Sequence, residues 1–234
     1  MLTAVRIRDR SSTICRNHGT GGDDMANLIT LVRFLLLFLL VALAYWAPPR
    51  WQLVDAPLLV LIIALDGLDG YVARARRETS VFGSIFDIAV DRVVENVLWI
   101  VLGHLGLVPM WVAIVFIVRG AIVDSIRYAA ISDGETAFGM MQSPIGRFLV
   151  ASRRMRGLYG TVKAATFGWV LFLQPWPELD PALWSRWSEA CEPITGTLVF
   201  ASVFLCLLRG FPVVAEFVVA QRVFTRGHAT AGGR

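Results

Sequence analysis

The chain has 234 residues, 56% of them hydrophobic and 17% charged, with eight tryptophans and a formal net charge of +4. That composition excludes a disordered chain and lies outside the usual range of a soluble domain. The surplus positive charge comes without a basic stripe interleaved with aromatics, which argues against nucleic acid as a partner. Cys15, Cys191 and Cys206 show no metal-type spacing and leave an odd cysteine in any pairing scheme.

Residues 1–24 are polar, rich in Gly and Arg and aperiodic, and read as a disordered tail or as an extension ahead of a start at Met25. Residues 25–220 read as one membrane domain and 221–234 as a C-terminal tail. Six apolar runs of near bilayer-crossing length follow one another: Leu28 to Trp46, Leu53 to Arg74, Val81 to Gly103, Val108 to Ala130, Leu158 to Leu173, and Ile194 to Val219. They predict an all-α, polytopic membrane protein with six transmembrane helices. A small-residue site at Ala42–Ala44 invites a signal-peptide reading. The run before it is long and holds Arg33, however, and cleavage would leave only five spans. Arg33 and Thr30, at the start of span one, read as an interfacial anchor and a helix-end hydrogen bond. Pro109, Pro175 and Pro177 read as loop markers at span ends.

The arginines orient these spans, because positive residues concentrate in cytoplasmic loops. Arg74, Arg76 and Arg77 follow span two, Arg147, Arg153, Arg154 and Arg156 follow span four, and Arg222 and Arg226 lie in the tail. The opposite loops hold only Arg50 and Arg186, beside Glu178, Asp180, Glu189 and Glu192. Both termini are therefore expected in the cytoplasm.

Against this background, the acids of spans two and three are anomalous. On a helix Asp66 and Asp69 lie about 60° apart, with Gly70 and Ala73 on the same face. Gly83, Asp87 and Asp91 step by four residues along span three. A connection of about seven residues forces a hairpin, so four carboxylates can converge near the cytoplasmic mouth. Each Asp at mid-span costs roughly 2.5 to 3.5 kcal/mol on insertion scales, and like charges repel one another as well. Arg74, Arg76, Arg77 and Arg92 can offset part of that. A cluster of hard oxygen ligands points further, to Mg²⁺ or Mn²⁺.

Asp66, Asp69, Gly70, Ala73, Arg74, Gly83, Asp87 and Asp91 together spell D-x-x-D-G-x-x-A-R-x8-G-x3-D-x3-D. Here the sequence resembles the CDP-alcohol phosphatidyltransferase family, and within it the phosphatidylglycerophosphate and phosphatidylinositol phosphate synthases. "NLITLVR" in span one also resembles the family's membrane entry. The resemblance implies membrane enzymes that join a CDP-linked lipid to a small alcohol and release CMP. It assigns Asp66, Asp69 and Asp87 to a pair of metal ions, and Asp91 to metal contact and to proton removal from the attacking hydroxyl. Asp69, Gly70, Ala73, Arg74 and Gly83 fall to the CDP-lipid, with Gly70 and Gly83 letting the nucleotide approach the backbone and Arg74 forking onto a phosphate. The active site is then expected at the cytoplasmic mouth of helices 2 and 3, in the cytoplasmic membrane. CDP-diacylglycerol is the expected donor, and a homodimer is expected by analogy alone.

The acceptor is less legible. Arg119 lies inside span four and Arg127 two turns later, and buried arginines need water, an acid or a phosphate. Asp124 can pair with Arg127. Lys163, the only lysine, opens span five in "GTVK", which looks like a one-lysine version of a two-lysine stretch common in phosphatidylglycerophosphate synthases. Arg119, Arg127 and Lys163 thus mark a phosphorylated acceptor site, glycerol 3-phosphate first and inositol phosphate second, with free inositol behind them. Glu95 continues the row of Asp87 and Asp91 and either extends the polar pocket or pairs with a base such as Arg119. A divalent-cation transporter is the alternative from another class, although it leaves Gly70, Arg74 and Gly83 unexplained.

Overall fold

The computed structural model describes residues 20–76, 81–132 and 143–228, with side chains described within 28–68, 85–129 and 143–219. All of the regular structure among these residues is helical. Six long helices, α1 (Thr20–Trp46), α3 (Asp55–Arg76), α4 (Val81–His104), α5 (Met110–Ser132), α7 (Arg153–Leu173) and α9 (Pro181–His228), are joined by short α2 (Pro49–Gln52), α6 (Pro144–Gly146) and α8 (Trp176–Leu179). A π-helical turn at Arg147–Ala151 leads into α7.

Local chemistry explains the boundaries. After α4, Gly106 takes φ 72°, and Leu107 N–H reaches back to the Leu102 carbonyl at 3.0 Å while Gly106 N–H reaches that of Gly103 at 3.2 Å. This is a Schellman stop, which only a residue tolerant of positive φ completes without strain. The Ser143 hydroxyl accepts from Gly146 N–H at 2.9 Å, and the Ser152 hydroxyl caps α7 by accepting from Met155 N–H at 3.2 Å.

Stretches at Leu28–Trp46, Pro49–Leu68 and Pro181–Val219 are long and apolar enough to cross a bilayer. The other long helices carry interior charge: Asp87, Asp91 and Glu95 on α4, Arg119 and Asp124 on α5, Lys163 on α7. Pro175 lies in the turn after α7, as expected of a loop marker, whereas Pro177 falls within α8. The polar segment expected between spans five and six is largely the start of α9, a helix of 48 residues that runs through Pro193 and Pro212. At about 1.5 Å per residue it is more than twice as long as the hydrocarbon core is thick.

The main helix contacts close a ring: α1 packs on α3 and α4, α3 on α7, α7 on α9, α9 on α5, and α5 on α4. Consequently, among the described residues, α3 and α4 take their principal partners elsewhere. Trp99 of α4 fills the middle, fully buried, with its ring 4.5 Å from Phe116 of α5 and 4.6 Å from Phe167 of α7. Leu37, Leu40, Ile62, Leu102 and Leu171 belong to the same buried cluster. Burying each such side chain contributes about 1.5 to 3 kcal/mol in water; in lipid, close packing takes over that role.

Candidate active site

Three of the predicted acids meet. Asp66 of α3 and Asp87 and Asp91 of α4 bring ligand oxygens within 4.8 Å of one another. Their side chains remain 42 to 50% exposed. Asp69, Gly70, Ala73 and Arg74 lie on α3 and Gly83 on α4, but the side chains at these positions fall outside the described residues.

The cation at the centre of the cluster comes from α1. Arg33, 2% exposed, places its guanidinium 2.8 Å from Asp66 and donates to Asp87 at 3.0 Å and Asp91 at 2.7 Å. This overturns its reading as an interfacial anchor. The helix starts at Thr20, so Arg33 sits well inside it and turns toward acids instead of toward the interface. Arg92, one of the arginines expected to offset the cluster, pairs with Asp124 at 2.9 Å and Glu95 at 3.6 Å. Asp124 is thus bridged to α4 as well as lying in electrostatic reach of Arg127.

Asp66, Asp91 and Arg33 line a cavity of about 320 Å³ that also holds Glu95, Gly160 and Lys163. Glu95 settles into the pocket and not onto Arg119: it lies 2.8 Å from the Lys163 ammonium and accepts from the Tyr159 hydroxyl at 3.3 Å. Behind it, the Tyr159 ring is flanked by Lys163 at 4.3 Å and by Arg209 of α9 at 5.0 Å. Arg209 donates to the Leu149 and Val150 carbonyls of the π-helical turn. It lies in electrostatic reach of Arg119, Arg127 and Arg156.

Of the three predicted acceptor residues, Lys163 reaches the acid cavity, while Arg119 and Arg127 do not line it. Arg119 packs so closely on Gly210 of α9 that a Cβ there would come within 2.9 Å of its Nε. It lines a separate apolar cleft with Val118, Leu207 and Phe211. Sequence reasoning missed Arg33 as a site residue, and also Tyr159 and Arg209. The available signal was cost: an arginine within an apolar run needs a buried partner, and both Arg33 and Arg209 sit in such runs.

The family model of the CDP-alcohol phosphatidyltransferases matches residues 24–176. A Bacillus subtilis (strain 168) protein named CDP-diacylglycerol–glycerol-3-phosphate 3-phosphatidyltransferase is 28% identical over 134 residues, 52% of this chain and 69% of its own length. A Pseudomonas fluorescens protein of the same name is 32% identical over 107 residues, 44% of this chain and about half, 54%, of its own. The family match covers well over half of the chain and includes every position of the acidic motif, so this chain belongs to the CDP-alcohol phosphatidyltransferase family and is a transferase of that class.

Proposed function

We propose that this protein transfers a phosphatidyl group from CDP-diacylglycerol to glycerol 3-phosphate and releases CMP, with Mg²⁺ or Mn²⁺ as cofactor. The observation that carries this reading is the single cavity in which Asp66 and Asp91 face Lys163. It puts ligands for a hard cation beside a side chain suited to a phosphate. Both named relatives are, by their names, glycerol 3-phosphate phosphatidyltransferases, which supports the same acceptor.

The donor set fits such an ion: carboxylate oxygens from two helices lie close enough to share one centre. Asp66, Asp87 and Asp91 would hold it, joined by Asp69. Ions bound there, two in the family reading, would neutralise the pyrophosphate and the departing CMP. The remaining steps belong to the chain. Asp91 takes the proton as the acceptor hydroxyl oxygen bonds to the phosphorus that carries diacylglycerol, and the bond from that phosphorus to the CMP oxygen breaks. Gly70, Ala73, Arg74 and Gly83 hold the nucleotide. An ammonium has three donors, so Lys163 can keep Glu95 and still bind the acceptor phosphate. Arg209, and more distantly Arg119 and Arg127, make its surroundings positive.

The six apolar runs are read as six spans with both termini in the cytoplasm, supported by the loop arginines and by the ring of long helices. Residues 25–220 form the catalytic domain, residues 20–24 and 221–228, expected as tail, extend α1 and α9 instead, and the site opens to the cytoplasm. Pairing into a homodimer is an analogy with related membrane enzymes. Cation transport no longer competes, since the family is one of transferases. Purified protein in detergent, given CDP-diacylglycerol, Mg²⁺ and a panel of alcohols, tests the reading. CMP release is expected with glycerol 3-phosphate above inositol phosphate and free inositol, and release only with an uncharged alcohol would refute the acceptor assignment.

A further inference from the structure

Among the described residues of the acidic motif on α3 and α4, none is a cation that explains how three carboxylates tolerate one another. Within 4.8 Å, unit charges of like sign repel by several kcal/mol even at the effective dielectric of a protein surface. Arg33 meets all three, and its own burial is tolerable only because it does.

We infer that Arg33 is a positioning residue and internal counter-ion: it ties Asp66 to Asp87 and Asp91 across α3 and α4 and, by offsetting their charge, lowers the affinity of the cluster for a divalent cation. Two geometric facts carry this. A planar guanidinium presents a fork of fixed donors, and here that fork spans carboxylates from two helices that take their principal packing partners elsewhere. α1 packs on both of those helices, so the residue that bridges them sits on their common neighbour. Arg33 and the ion therefore draw on the same negative charge and oppose each other energetically, even though both hold the acids together. A binding energy opposed in this way lets the ion exchange instead of locking in place.

The inference rests on the divalent-ion reading above, and the test separates the two. Wild type, R33Q and R33K, each full length in detergent, are freed of metal with EDTA and titrated with Mn²⁺ by electron paramagnetic resonance of the free ion. Thermal unfolding is followed with and without saturating Mn²⁺. R33Q is expected to melt well below wild type in EDTA and to recover much of that gap in Mn²⁺, with a Kd for Mn²⁺ about tenfold lower because one opposing charge is gone. R33K keeps the charge and loses the fork, so it is expected to melt below wild type in EDTA while holding a Kd close to the wild-type value. If R33Q cannot be isolated, R33K still decides: a melting temperature equal to wild type in EDTA would overturn the positioning role. A gap between R33Q and wild type that is the same in EDTA and Mn²⁺, with unchanged Kd, would make Arg33 a packing residue only. Weaker Mn²⁺ binding by R33Q would reverse the proposed sign and also overturn it. Failure of the wild type itself to bind Mn²⁺ would instead remove the divalent-ion reading on which the inference stands.

Discussion

One strip of α4 has two characters. From Asp87 through Asp91 and Glu95 it presents carboxylates at four-residue spacing, and one further step of four brings it to Trp99, fully buried between Phe116 and Phe167. Asp87 and Asp91 stay half-exposed and are held by Arg33 of α1, while Glu95, largely buried, is held by Lys163 of α7; the tryptophan closes the bundle by contact alone. The same face of one helix thus carries chemistry at one end and cohesion at the other. The difference lies in the partners: charge inside a membrane bundle is retained where a complementary charge or a substrate meets it, and packing needs neither.

The largest effect expected on the acidic end is loss of turnover. Asp66→Asn, Asp69→Asn or Asp87→Asn should reduce CMP release to background, because an amide cannot replace a charged oxygen ligand, and EDTA should do the same to the wild type. Asp91→Asn should lose turnover while keeping measurable CDP-lipid binding. Near-normal CMP release in any of these variants, or binding lost together with turnover in the last, would redraw the roles. At the other end of the strip, Trp99→Ala should cost about 3 to 5 kcal/mol of stability. Thermal unfolding in detergent reads that loss, and the protein that stays folded should keep its acceptor KM. An altered KM without destabilisation would erase the division between the two ends.

Lys163 stands between them, tied to Glu95 and facing the acids. Lys163→Ala should raise the KM for glycerol 3-phosphate roughly tenfold to a hundredfold and leave that for CDP-diacylglycerol nearly unchanged, as expected for a charge-assisted phosphate contact of about 1.5 to 3 kcal/mol. Lys163→Arg should restore part of it. Equal loss for both substrates would mean that the ion pair with Glu95 merely braces the cavity. The smallest effect is expected on the wall shared by α7 and α9, where the Thr166 and Ser202 hydroxyls meet at 2.9 Å. Removing one hydroxyl with Ser202→Ala should cost only about 0.6 kcal/mol, the average for such bonds between membrane helices, and a thermal unfolding scan should show a correspondingly small shift.

Each of the six apolar runs falls on one long helix to within two residues, because helical hydrogen bonding is the only local solution for a single apolar segment in lipid. The four-residue step from Asp87 to Asp91 and Glu95 likewise needs only helical periodicity to put these acids in one row. Family membership was legible in the motif for the same reason: its positions lie within 26 consecutive residues, where local geometry governs spacing. Which helices touch was another matter. The short link between spans two and three implied that their acids would converge, and Asp66, Asp87 and Asp91 do, yet the described parts of α3 and α4 take their main neighbours from elsewhere in the ring. Arg33 is 33 residues from Asp66 and 58 from Asp91, so no pattern of period 3.6 connects them. Arg209 and Tyr159 join the site in the same way, across distant segments. The sequence alone determined the helices, their apolar and acidic rows and the family, since these depend on neighbours along the chain. The tertiary structure alone decided which cation answers which acid, because that depends on how the helices close their ring.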